Sequence, residues 1–335
     1  MAINRNLDPW NVADDFIAFH HLESTDPEPI VRAIVTNLNY TPKAPRTIDS
    51  VFSDSIEFPI TTPVLFNQPP NWEKFKSKFF EFNNALPLAE LKLDLAVILE
   101  IQDKFITPDH KPATFVDCYV KLFQWPVENR FLVNDIFRLH LIQPFFASFC
   151  LHYLPEKLSS QQHPVIDSIL TSINDKNDLA LQLTSLRCFA NMFSTVHGAE
   201  LMFQEFNRIN SHLSKNISSW NGLIDNRNVH LAFAAIWYNY SVMLTDIRKQ
   251  HNIDFLDSLM NIVYETDGKT KHPEALALML NTFGNLLVAR GRSWFDLGLV
   301  QDFIKVIQSY PKQFDDHYDV KRAIQQINRL YNDYS

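Results

Sequence analysis

Apolar residues recur at helical spacing along most of this chain, in blocks parted by prolines or short polar stretches. Asp8-Pro9 is an N-cap and first-turn pair that opens a short helix through Trp10, Val12, Ala13, Phe16 and Ile17. A second helix follows Pro29 and carries Ile30, Ile34, Val35 and Leu38. Together they predict a short helical hairpin over residues 1–39, followed by a linker over 40–57, where Pro42, Pro45, Asp49 and Asp54 interrupt any period. From Phe58 onward the pattern predicts helix after helix. Trp72 to Phe82 is rich in aromatics and lysines, and Leu88 to Phe105 is amphipathic through Leu91, Leu95, Ile98 and Leu99. Further helices are predicted near 112–125, 129–142, 144–154, 163–173, 178–194, 198–212, 227–248, 252–264, 273–290, 294–309 and 316–332. No alternating β-branched run competes with them.

Three of these helices carry one short pattern at nearly constant spacing: Phe189-Ala-Asn191, Trp237-Tyr-Asn239 and Phe283-Gly-Asn285. The steps of 48 and 46 residues are the length of a three-helix armadillo or HEAT unit. A lone asparagine inside an apolar helical run needs a reason. In stacked repeats equivalent positions fall in a row, and a row of amides can hold the backbone of an extended peptide. One helical turn before Asn191 stands Arg187; the equivalent position is Arg138 in the preceding unit, then Ala235 and Asn281 in the following ones. The candidate peptide-binding ridge is therefore Arg138, Arg187, Asn191, Asn239, Asn281 and Asn285. The competing structural explanation is that the arginines pair with carboxylates of neighbouring helices and the asparagines cap or bridge turns.

Composition narrows the function further. Six glycines in 335 residues is far below the usual ~7%, which disfavours phosphate-cradling loops and hairpin-rich folds. Twenty-seven phenylalanines fit thick interhelical packing. A net charge of −8 without a long basic run disfavours nucleic acid as a partner. Cys118, Cys150 and Cys188 are odd in number, widely spaced and set among apolar residues, as reduced core thiols are. No stretch approaches the ~20 apolar residues of a membrane span. The chain reads as soluble and intracellular, and a monomer with no cofactor and no metal is expected.

No GxSxG, HExxH, P-loop or GxGxxG motif is present. Cys150 and His152 lie two apart on one predicted helix and so face different ways. His20-His21 and Asp315-Asp316-His317 with Asp319 read as helix ends, and His230 as a packing or capping residue. A non-catalytic scaffold is the expectation; a cysteine-dependent hydrolase and a generic helical-repeat adaptor for another acidic or trafficking partner are the alternatives.

Ile136-Phe-Arg138-Leu, Leu186-Arg-Cys-Phe-Ala-Asn191-Met-Phe, Asn228-Val-His230-Leu-Ala-Phe-Ala with Asn239-Tyr-Ser241, and Phe283-Gly-Asn285 together resemble the PUL domain, the C-terminal domain of the phospholipase-activating, ubiquitin-fusion-degradation family. Phe58-Pro59 and Leu65-Phe66 look like its entry, and the resemblance covers roughly residues 56–335. Residues 7–38 resemble the last helices of the PFU domain, which binds ubiquitin in relatives; its strand-rich first half and the propeller that relatives carry upstream are not matched, so the chain reads as a fragment or short isoform. The resemblance implies an all-α, armadillo-like solenoid of about six repeats over residues 58–335. It implies that a basic concave groove takes the acidic C-terminal tail of the hexameric AAA ATPase valosin-containing protein, in ubiquitin-dependent degradation and ubiquitin homeostasis. Arg138 and Arg187 match two arginines of the family pattern; a third aligns near Leu278, with Asn281, Arg290 or Arg292 placed to compensate.

Overall fold

Helix starts in this protein are set by prolines and small polar caps. Pro112, Pro164 and Pro273 each stand at a first helical position, where a missing N–H leaves no hydrogen bond unmade. Asn71, Asp178 and Thr195 each accept a hydrogen bond from a first-turn N–H: Lys74 at 3.1 Å, Leu181 at 2.9 Å and Gly198 at 3.2 Å. The computed structural model describes residues 58–60, 62–93, 112–143, 147, 151, 163–173, 178–217, 226–244, 272–291, 298–309, 314 and 317–334. The chain divides into two units, Met1–Pro45 and Arg46–Ser335, and every described residue belongs to the second. The expected hairpin over 1–39, the linker over 40–57 and the helix over 252–264 lie outside the described residues, as do Cys150, Arg292 and the His20-His21 pair.

The described helices are α1 (Trp72–Ala85), α2 (Pro112–Leu122), α3 (Arg130–Leu141), α4 (Pro164–Ile173), α5 (Leu179–Met192), α6 (Val196–Gln204), α7 (Phe206–Ile217), α8 (Arg227–Leu244), α9 (Pro273–Arg290), α10 (Gly298–Ser309) and α11 (Tyr318–Tyr334). Helices α3, α5, α8, α9 and α11 pack one against the next in that order, and α4, α6 and α10 pack against members of this row. The architecture is an all-α helical-repeat solenoid, as expected from the repeat spacing.

Burial follows position in the stack. In α8 every residue from Val229 to Ser241 is buried, as befits a helix with neighbours on all sides. Among its described residues α11, the last helix in the row, buries Val320, Ala323, Ile324 and Ile327 and leaves its other face polar. Phenylalanines and tyrosines fill the gaps between units edge to face: Phe193 with Tyr240 at 4.8 Å, Phe206 with Tyr240 at 5.1 Å, Phe283 with Phe303 at 4.4 Å.

Three helical expectations are corrected. The described residues between Phe58 and Pro70 are not helical; Pro59, Pro63, Pro69 and Pro70 deny the stretch the backbone donors and the φ/ψ freedom a helix needs. At its start the helix predicted over Leu88–Phe105 is instead a short 3₁₀ turn, Ala89–Leu91, with Leu93 held off a helical path by Asn83, which accepts from its N–H at 2.9 Å and donates to its carbonyl at 3.1 Å; residues 94–105 lie outside the described residues. The single helix predicted over 198–212 is two, α6 and α7, broken at Glu205 while Met202, Phe206, Ile209 and Leu213 keep one buried stripe across the break. No proline or glycine marks that break.

Candidate functional site

The stack brings Asn191 of α5, Asn239 of α8 and Asn285 of α9 to matching positions on neighbouring helices, and what they hold is the chain's own strap, residues 58–70. Asn285 accepts from the N–H of Ile60 at 2.8 Å and donates to its carbonyl at 3.2 Å. Asn239 does the same with Val64, at 2.7 and 2.9 Å, and Asn191 with Phe66, at 2.7 and 3.0 Å. Tyr238 donates to the Thr62 carbonyl at 3.1 Å. Arg138 donates from Nη1 to the Phe66 carbonyl at 2.7 Å and from Nη2 to the Gln68 carbonyl at 2.8 Å.

The gripped residues are 60, 62, 64, 66 and 68. In an extended chain the N–H and C=O of one residue point the same way and the direction recurs every second residue, so this register identifies an extended segment. The lengths agree as well. Helices packed about 10 Å apart put Asn191 and Asn285 roughly 20 Å apart, and six extended residues from Ile60 to Phe66 also span about 20 Å.

Each asparagine uses its second amide hydrogen to tie its helix to a neighbour. Asn191 donates to the Arg138 carbonyl at 2.7 Å, Asn239 to the Ala190 carbonyl at 3.0 Å and Asn285 to the Ser241 hydroxyl at 3.1 Å. All three side chains are fully buried and all their amide hydrogens are engaged. Breaking such a clamp strands buried backbone groups, each costing about 1–3 kcal/mol.

Side chains of the strap complete the fit. Val64, Leu65 and Phe66 are buried. Phe58 lies against Gly284, where any β-carbon would strike its ring; glycine in the Phe283-Gly-Asn285 pattern is there for this close approach.

One helical turn before the asparagines the chemistry changes. Asn281 is fully buried, yet neither its Oδ1 nor its Nδ2 has a hydrogen-bond partner. Arg187 sits with its guanidinium over the Phe66 ring, 5.2 Å from the centroid, and its buried Nε is also without an acceptor. Burial, then the nearby Arg138 charge, push the Arg187 pKa down to about 10, with Asp135 opposing. Between them on α8 the equivalent residue is the buried Ala235.

The two arginines therefore differ. Arg138 is almost wholly buried and has its Nε on Asp135 at 2.7 Å and its other nitrogens on the strap. Arg187 makes no ion pair or hydrogen bond among the described residues. Leu278, where a third family arginine would align, is a core residue. The side chain of Arg290 lies outside the described residues.

Other sequence candidates resolve as packing. His230 is buried, with the His272 ring 5.8 Å away; burial first, then His272, push its pKa down to about 4. Cys188 donates to the Asn134 carbonyl at 3.2 Å, and burial pushes its thiol far above the range of a reactive cysteine. Among the described residues no cluster of histidine, cysteine and carboxylates could hold a metal ion, and no helix is long and apolar enough to cross a membrane.

The strap residues were missed by helical periodicity. The signal that marks them is the short apolar run Ile60 and Val64-Leu65-Phe66 set between prolines at 59, 63 and 69.

Fold and site define a helical-repeat scaffold whose inner helices clasp an extended segment. A PUL domain family profile matches residues 58–326, and the chain belongs to that family. It is also 27% identical over 241 residues to the phospholipase A-2-activating protein of Xenopus laevis, a match covering 69% of this chain and 27% of that protein, so the chain corresponds to about a quarter of that relative.

Proposed function

We propose that this chain is a non-catalytic adaptor whose groove takes the acidic C-terminal tail of the AAA ATPase valosin-containing protein, in ubiquitin-dependent protein degradation in the cytoplasm and nucleus. The observation that carries this reading is Arg187: a largely buried guanidinium, crowded by a second arginine, stacked on an aromatic ring and lacking an acceptor for its Nε. A carboxylate supplies the missing acceptor and the countercharge, and a guanidinium fork matches it in shape. The family membership supports an adaptor, and the inert Cys188 supports a site without a nucleophile.

The test is titration of a fluorescently labelled acidic tail peptide by anisotropy. Binding is expected at roughly micromolar affinity, weakening as salt rises because part of the contact is exposed. Arg187→Ala is expected to abolish most of it. Equal binding by the wild type and Arg187→Ala sinks the assignment. Equal affinity for a scrambled peptide of the same charge makes the protein an adaptor for acidic segments in general.

A further inference from the structure

The strap satisfies the groove's backbone-binding groups but not its side-chain-reading ones. Phe66 shows the rule: its N–H and carbonyl are held by Asn191, and its ring lies under Arg187, one turn earlier on the same helix. One helical turn before Asn239 and Asn285, which hold Val64 and Ile60, the equivalent positions are Ala235 and Asn281. Ala235 suits an apolar neighbour. Asn281 and Arg187 do not: at the two ends of the strap's path, Asn281 is fully buried with both amide atoms unpaired, and half-buried Arg187 has a buried Nε with no acceptor. Native proteins seldom leave such groups unpaired without a ligand or a switch to account for them.

We infer that the strap is an exchangeable occupant, and that the groove's ligand in trans is an extended acidic segment that takes its place. Such a segment carries a hydrogen-bonding side chain on Asn281 and, six residues later, a carboxylate on Arg187. The spacing is that from Ile60 to Phe66. Exchange conserves the amide clamps, because Asn191, Asn239 and Asn285 touch the strap only at main-chain atoms and accept any sequence. Arg138, which likewise holds only main-chain carbonyls of the strap, passes to the incoming backbone in the same way. Asn281 and Arg187 are thereby the residues that set specificity. The inference rests on the acidic-peptide reading above and adds that binding and strap release are one event.

Amide hydrogen exchange of the wild-type protein tests it, with and without a saturating synthetic ten-residue peptide bearing a glutamine six residues before a glutamate. Exchange at Ile60, Val64 and Phe66 is expected to accelerate by about tenfold or more as their clamps pass to the peptide. Ile60→Asn gives Asn281 a partner from within the strap, so it is expected to weaken the peptide by about tenfold although it lies roughly 20 Å from Arg187. Shortening the glutamine–glutamate spacing by one residue turns the two side chains to opposite faces and is expected to cost about as much. A peptide that binds through Arg187 while the strap amides stay protected, with Ile60→Asn and the shifted peptide behaving as the originals do, overturns the inference and leaves the proposed function standing. No binding to the wild type defeats both.

Discussion

Two parallel lines of side chains, one helical turn apart, cross the same helices and behave oppositely. On the first, Asn191, Asn239 and Asn285 have all their amide hydrogens engaged, clamp a backbone and tie neighbouring helices together. On the second, Asn281 is fully buried with no partner for its amide, and half-buried Arg187 has a buried Nε without an acceptor. A saturated polar network in a core rigidifies; an unsatisfied one invites something else to bind. The first line is accordingly the structural spine of the groove, and the second is where recognition is open.

Breaking the first line should cost the most. Asn239→Ala strands the N–H and carbonyl of Val64 and is expected to lower stability by about 3 kcal/mol, read by urea denaturation. A loss below 1 kcal/mol would mean the clamp is dispensable. Acid provides a control that acts away from both lines. His230 binds its proton at about 4 in the folded protein and near 6.5 when unfolded, so the unfolded state takes up more protons in between. Stability should therefore fall as pH drops from about 6.5 to about 4, by on the order of 3 kcal/mol, and His230→Phe should flatten that slope. An unchanged slope in the variant would place the proton uptake elsewhere.

Breaking the second line should spare the fold. Arg187→Ala is expected to leave stability within about 1 kcal/mol of wild type while reducing acidic-peptide binding by about 1.5–3 kcal/mol. Arg138→Ala should do the reverse, losing stability first, because its donors serve Asp135 and the strap. The smallest effect is expected at Asn281→Leu: removing an unpaired buried amide should be neutral or slightly stabilising by thermal melting. A marked loss of stability there would show that Asn281 belongs with its saturated neighbours.

How much of this was legible depends on period. The helices were readable because apolar residues recur at 3.6, and the proline-led starts at 164 and 273 came within a residue. The asparagines stood out because a polar side chain repeated every 46–48 residues cannot be chance packing. Their occupant was not readable. Nothing in a helical pattern reports that Phe58–Pro70, from the edge of an expected linker, returns to cover α3, α5, α8 and α9. Nor does a matched family arginine reveal whether its donors are free. Arg138 and Arg187 look alike in sequence and differ because Phe66 offers one a carbonyl and the other a ring. The break at Glu205 was hidden for a simpler reason, since the buried stripe runs through it.

The strap also changes how such an array can assemble. Stacked repeats ordinarily answer only to adjacent units and can form piecemeal from any point. Here Ile60 meets Asn285 across 225 residues and Phe66 meets Asn191 across 125. During synthesis the strap leaves the ribosome long before the helices that will receive it, and its last bond waits for nearly the whole domain. Closure of that long loop comes late and ties units that would otherwise melt separately into one cooperative body.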